Sequence, residues 1–137
     1  MLQRFVNLSS LTNWFVPDSH QPTEETEMRL ELRPLGEDDF RRGFLETLSG
    51  LAAVDLTPEQ AEEIWKTRTT AGIHTAVALT GGRVIGTASL LVEKKCIHRG
   101  GLVGHIEDVA IHADFRRRGV GTRLVDHLTA LAVSLDC

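Results

Sequence analysis

Two adjacent glycines, Gly81 and Gly82, divide two long apolar runs, Ile-His-Thr-Ala-Val-Ala-Leu-Thr at 73–80 and Arg-Val-Ile-Gly-Thr-Ala-Ser-Leu-Leu-Val-Glu at 83–93. A two-residue glycine connection takes the positive φ values of a primed turn, so the runs fold back on each other as an antiparallel hairpin. After a loop at 94–101, the run 102–112 adds a third strand to the set. Upstream, residues 29–33 alternate polar and apolar as a half-buried strand does, and Pro34-Leu35-Gly36 ends it. Glu37-Asp38-Asp39 then supplies the anionic first turn of a helix, with Phe40, Phe44, Leu45, Leu48 and Leu51 at helical spacing. A second helix starts at Thr57-Pro58-Glu59-Gln60, where Thr caps, Pro opens and Gln completes a capping box. Ala61, Ile64 and Trp65 form its inner face, and a last helix carries Val120, Leu124, Val125, Leu128, Leu131, Ala132 and Leu135 on one face. The order β-α-α-β-β-β-α predicts an α/β fold.

A chain of 137 residues makes one domain. Residues 1–27 form a separate lead-in: Leu11, Trp14, Phe15 and Val16 precede a polar, acidic, Pro-punctuated stretch, a composition that predicts flexibility ahead of the domain at 28–137. The formal net charge of −4 argues against a general nucleic-acid binder, which needs surplus cations to neutralise phosphates. Two cysteines, Cys96 and Cys137, make no disulfide scaffold and no metal-ligand spacing. His105, His112 and Asp114 form no compact ligand set, so no metal is expected. No apolar run reaches the roughly 18 residues of a membrane span, and the N-terminus lacks a signal-peptide core. The expectation is a cytoplasmic protein without integral membrane association.

Chemistry is signalled between the last strand and the last helix, at Asp114-Phe-Arg-Arg-Arg-Gly-Val-Gly-Thr122. Three consecutive cations at a helix start oppose the macrodipole and cost a few tenths of a kcal/mol each. A bound anion reverses that sign. Gly119 and Gly121 let the backbone approach closely, the helix start offers N–H groups, and arginines add charge-assisted contacts. A phosphate or pyrophosphate is the natural ligand. The Rossmann spacing and the Gly-Lys-Ser/Thr of a P-loop are absent.

Arg116-Arg117-Arg118-Gly119-Val120-Gly121 resembles the Q/R-x-x-G-x-G/A acetyl-CoA signature of the GNAT N-acetyltransferases. Further segments, Leu32–Leu45, Thr57–Gln60, Glu93–His98 and Gly104–Val109, are similar to the branch of that family that acetylates glucosamine 6-phosphate. The resemblance spans residues 30–137 and implies a mixed, mostly antiparallel sheet with helices on both faces. It implies that Val109, Ala110 and Ile111 bind the pantetheine arm of acetyl-CoA and that Arg116, Arg117, Arg118, Gly119, Val120, Gly121 and Thr122 hold its pyrophosphate. Glu107 and Asp108 are the implied catalytic pair at the amino group. Ser49, Lys95, Cys96, Ile97, His98, Glu107, Asp108 and Val109 are the implied sugar-phosphate contacts. Adjacent strand residues face opposite sides, so Glu107 and Asp108 serve one ligand only if a bulge reorients them. Alternatively, they pair with Arg29 or Arg33 on a neighbouring strand.

The resemblance also implies a homodimer and a place in UDP-N-acetylglucosamine biosynthesis. The family continues past this helix with a strand, a helix and a final strand, and uses a tyrosine near the departing thiolate. The present chain has no tyrosine and ends at Cys137, so the expected fold lacks the C-terminal strand-helix-strand. On that expectation the outer edge of the strand at 102–112 is unpaired unless another chain covers it. Two other functions stay open: an inactive CoA-binding or dimerising module, and acetylation of a different amine.

Overall fold

The computed structural model describes residues 2–4 and 28–137. Strand β1 is Leu2–Arg4 and β2 is Glu31–Pro34. A 3-10 turn over Glu37–Arg41 leads to helix α1, Phe44–Ser49, and then to α2, Pro58–Thr70. Strands β3 (Ile73–Thr80), β4 (Arg83–Lys94) and β5 (Leu102–Ile111) follow, and a 3-10 turn over Ala113–Phe115 opens into α3, Val120–Ser134. The sheet order is β1-β5-β4-β3-β2. Every neighbouring pair is antiparallel except β1 with β5.

The hairpin forms as the glycine pair dictates, with Thr80 opposite Arg83 and both glycines at positive φ. Its strands are buried on both sides, from Ala76 to Leu79 and from Val84 to Leu90. Alternate residues feed two cores. Ala76, Ala78, Ile85, Ala88 and Leu90 pack with Ile106 and with Val120, Leu124, Val125, Leu128 and Ala132 of α3. Val77, Leu79 and Val84 pack on the opposite face with Leu35, Phe40, Phe44 and Ala61. Helices therefore cover both faces of the sheet.

Three details depart from the sequence reading. The helix predicted through Phe40 and Phe44 breaks at Gly43, which stands at φ +101° between the 3-10 turn and α1. A Cβ there would lie 2.9 Å from the Val84 carbonyl oxygen, and the Val84 N–H donates to the Arg42 carbonyl at 2.8 Å. The chain thus gives up helix to dock on β4. On α2 the capping box of Thr57 and Gln60 forms as read, but Ile64 is 46% exposed while Ala61 is buried and Trp65 half-buried. The third concerns the outer edge of β5. Leu2, Gln3 and Arg4 pair with Gly104, His105 and Ile106. Part of that edge is thus covered by the chain's own beginning. Among the described residues, Leu102, Val103 and the stretch from Glu107 onward have no strand beside them on that edge of β5. Residues 5–27, with Trp14 and Phe15 of the predicted lead-in, lie outside the described residues.

Candidate active site

The register of β5 decides where its two acids point. β4 and β5 pair at Thr87↔Ala110 and at Ser89↔Glu107, so Asp108 and Val109 are set against the single residue Ala88. The irregularity has Asp108 at φ +52°, in the left-handed region. A regular strand would send Glu107 and Asp108 to opposite faces. The inserted residue removes that opposition. Both carboxylates reach one guanidinium: Arg68 Nη2 lies 4.0 Å from Glu107 Oε1 and 3.9 Å from Asp108 Oδ2.

Arg68 is the residue the sequence reading missed. It stands on α2 at the spacing 61-65-68, i, i+4, i+7 with Ala61 and Trp65, so a charge on the inward stripe was the available signal. Of the two arginines proposed as structural partners, Arg33 is committed elsewhere. Its guanidinium forks onto Asp39 at 2.7 and 2.8 Å and also meets Glu31 at 3.3 Å. Burial alone would raise the Asp39 pKa, but the Arg33 fork and the Gly36 N–H more than offset it and hold it below its ordinary value.

Arg68 also donates to Ser89 Oγ at 3.3 Å, and Ser89 shares a hydrogen bond with Thr75 Oγ1 at 3.2 Å. Beside this polar floor opens a cavity of about 150 Å³. Asp108, Arg68, Thr75, Thr87 and Ser89 line it, together with apolar side chains including Phe40, Phe44, Leu48, Ile64 and Trp65. The side chains of Arg68, Glu107 and Asp108 are 33%, 38% and 47% exposed, so a ligand has access to the acids.

Past Ile111 the chain builds the loop for which the sequence predicts an anion. Arg117 takes φ +64° and Gly119 φ +77°, and Gly119 caps α3 without a side chain. A Cβ on Gly119 would meet nothing within 4 Å, so there is open space over the helix start. Arg118 lies over the Phe115 ring at 5.6 Å. Arg116 folds back along the surface, its Nε donating to the Ile111 carbonyl at 3.3 Å and its Nη2 to the Gly50 carbonyl at 3.5 Å. It ties the end of α1, where Ser49 Oγ donates to the Glu46 carbonyl, to the end of β5. His112 supports the same junction: its Nδ1 accepts from the Asp114 N–H at 3.2 Å, and its Nε2 lies 3.1 Å from Glu46.

The loop of Lys95, Cys96, Ile97 and His98 does not join the acids within the chain. From the pair Lys94↔Leu102 to the pair Ser89↔Glu107 runs five residues of strand, roughly 17 Å. Lys95 Nζ sits 2.8 Å from Glu93 Oε2, and His105 Nε2 lies 3.0 Å from the same oxygen. His98 stands at φ +52°, while Cys96 and Ile97 are exposed. Among the described residues, no group of three or more His, Cys, Asp and Glu could hold a metal ion, and no helix is long and apolar enough to cross a membrane.

The profile of the acetyltransferase (GNAT) family matches residues 9–137. The chain belongs to the GNAT acetyltransferase family. The match begins inside the stretch that the sequence reading set apart as a lead-in. Glucosamine 6-phosphate N-acetyltransferase 1 of Dictyostelium discoideum is 34% identical over 112 residues, covering 79% of this chain and 71% of that protein. The Trypanosoma brucei brucei glucosamine 6-phosphate N-acetyltransferase is 38% identical, covering 79% and 75%. Among solved structures, the Arabidopsis thaliana glucosamine-6-phosphate N-acetyltransferase superposes with a TM-score of 0.75 at 28% identity, over 80% of this chain and 78% of that one. As a GNAT member the protein is an acetyltransferase, with the mixed sheet and two-sided helices of that fold.

Proposed function

We propose that the protein transfers the acetyl group of acetyl-CoA to the 2-amine of D-glucosamine 6-phosphate, giving CoA and N-acetyl-D-glucosamine 6-phosphate. The observation that carries this reading is the bulge at Asp108, which brings two adjacent carboxylates to one guanidinium, Arg68, at the cavity that Arg68 and Asp108 line. The names of the relatives supply the acceptor. The product is an intermediate for UDP-N-acetylglucosamine, and we assign the protein to the cytoplasm.

Binding starts at the loop. The backbone of Gly119, Val120, Gly121 and Thr122 at the start of α3, with Arg117 and Arg118, takes the pyrophosphate of acetyl-CoA. Arg116 holds the loop against β5 and α1 rather than presenting its guanidinium to the phosphate. The edge of β5 at Val109, Ala110 and Ile111 hydrogen-bonds the pantetheine arm as an added strand does, and an N–H at the bulge polarises the thioester carbonyl. Glu107 and Asp108 hold the sugar amine and accept the proton it must lose before attack. The C–N bond forms, the C–S bond breaks, and the proton shed by the acylated nitrogen ends on the departing CoA thiolate. No covalent enzyme intermediate is needed.

Ser49 and the loop of Lys95, Cys96, Ile97 and His98 are the proposed sugar-phosphate contacts. The strand length separating that loop from Glu107 favours a homodimer, in which the loop of one chain serves the acids of the other. A second reading is favoured by the largely apolar cavity lining: an acceptor amine with an apolar body. One experiment separates the two. The protein is incubated with acetyl-CoA and either glucosamine 6-phosphate or a panel of arylalkylamines, and products are read by mass spectrometry. Acetylation of the sugar supports the proposal, and acetylation confined to the panel overturns it.

A further inference from the structure

We infer that Arg68 is a positioning residue for acetyl transfer, holding the Glu107 and Asp108 carboxylates converged on the acceptor amine. The inference rests on the function proposed above. It starts from a difficulty in that site. The bulge removes the strand's separation of the two acids, so adjacent carboxylates share one side of β5. Two anions so close repel, and each has solvent to turn into. Something must hold them.

Arg68 is placed for that task. Its Nη2 stands nearly equidistant from the two acids, at 4.0 and 3.9 Å, too long for firm ion pairs that would withdraw them from a ligand. The guanidinium is fixed from below by Ser89 Oγ at 3.3 Å, itself tied to Thr75 Oγ1. Ser89 pairs with Glu107 across the sheet, so the anchor of the cation and the backbone of the acid share one register. The planar guanidinium keeps further N–H donors for the carboxylates, which a Lys ammonium on a flexible stem cannot arrange in the same way. The arginine is also costly where it stands. It occupies the inward stripe of α2 with Ala61 and Trp65, a place where an apolar residue would pack on the cavity lining.

The test compares R68M and R68K with the unsubstituted protein. Methionine keeps the length and packing of the stem and removes the charge. R68M is expected to unfold at the same denaturant midpoint and to keep its KM for acetyl-CoA, while kcat with glucosamine 6-phosphate falls about 100-fold, the scale of a 1 Å misplacement. R68K is expected to recover part of that loss. An equal loss in both variants with a lowered midpoint would show a merely structural arginine, and an unchanged kcat in R68M would overturn the inference outright. A readout independent of the acceptor is the pair of side-chain carboxyl carbon resonances of Glu107 and Asp108, assigned with E107Q and D108N. Both are expected to move in R68M and to move less in R68K. If the protein does not acetylate glucosamine 6-phosphate, the proposed function fails while these resonances still decide the role of Arg68. Resonances that stay in place would refute it.

Discussion

Asp108 carries backbone strain and the proposed chemistry on the same residue, and substituting glycine there separates the two. Its φ of +52° lies in a region that costs an ordinary L-residue about 1–2 kcal/mol, with aspartate near the lower end. Glycine adopts that φ freely but gives up about 0.5–1 kcal/mol in chain entropy on folding. The contact with Arg68 is 3.9 Å long between side chains 33% and 47% exposed. A contact so long and so exposed contributes at most about 0.2–1 kcal/mol. These terms nearly cancel, so D108G should fold within about 1 kcal/mol of the unsubstituted protein, a shift of a few degrees in Tm.

Alanine behaves differently. D108A keeps the strained φ and loses the contact, so it should be less stable than D108G. Both should lose acetyl transfer by about 10²–10⁴-fold, the usual contribution of a positioned proton acceptor. The measurements are urea unfolding midpoints and initial rates with glucosamine 6-phosphate. Were D108G the less stable of the two, the strain argument would fail, and were it to keep full activity, Asp108 would carry no chemistry and the site would lie elsewhere.

Three shorter predictions follow from other residues. G43A should destabilise by about 2–4 kcal/mol, because it combines a positive φ with a Cβ 2.9 Å from the Val84 carbonyl, whereas G81A at the open hairpin tip should cost only the backbone part, about 1 kcal/mol; denaturant titration of both variants checks the difference. Asp39 has a lowered pKa in the fold, so its ionised form adds stability above the ordinary carboxylate range, and that stability is lost as pH falls through the lowered value; Tm against pH should therefore drop on acidification and converge with that of D39N, and parallel curves would contradict it. G119V should weaken acetyl-CoA binding in calorimetry, since a branched side chain would fill the open space over the helix start and resist φ +77°, while G119N, which tolerates that φ, should fold normally and bind better than G119V.

Local rules made most of the fold legible, and tertiary contacts account for the rest. Gly81-Gly82 announced the hairpin because turn chemistry acts over two residues. Thr57 and Gln60 announced the start of α2 because a capping box acts over three, and the structure shows both of its hydrogen bonds. Gly43 read as a helix residue because its reason for breaking the helix, the Val84 carbonyl, lies forty-one residues away in sequence. Leu2–Arg4 gave too short a pattern to read as a strand, and its partner is a distant edge. In the site, the strand-loop-helix signature could be read because its glycines and arginines are contiguous. Arg68 could not be paired with Glu107 and Asp108 from the sequence, since α2 and β5 meet only in the fold.

The proposed placing of the chemistry on β5 depends on parity. A strand shows a ligand every second residue, so two neighbouring acids on a regular strand can never serve one substrate. Inserting one residue against Ala88 breaks that rule locally and leaves the ladder intact on both sides, at Thr87↔Ala110 and Ser89↔Glu107. The same strand runs on past Ile111 through a 3-10 turn and a loop into α3, so the acids and the proposed anion-binding helix start lie at successive parts of one β5–loop–α3 segment. Among the described residues, β1 pairs with Gly104, His105 and Ile106, and Glu107 has no strand partner on that side. The edge it leaves open is the stretch where an extended acyl carrier would need backbone partners. Lengthening that pairing is therefore the direct way to close the site: a substitution set that extends β1 by two residues along β5 should raise stability and lower affinity for acetyl-CoA together, and a rise in both would refute the assignment of that edge to the carrier.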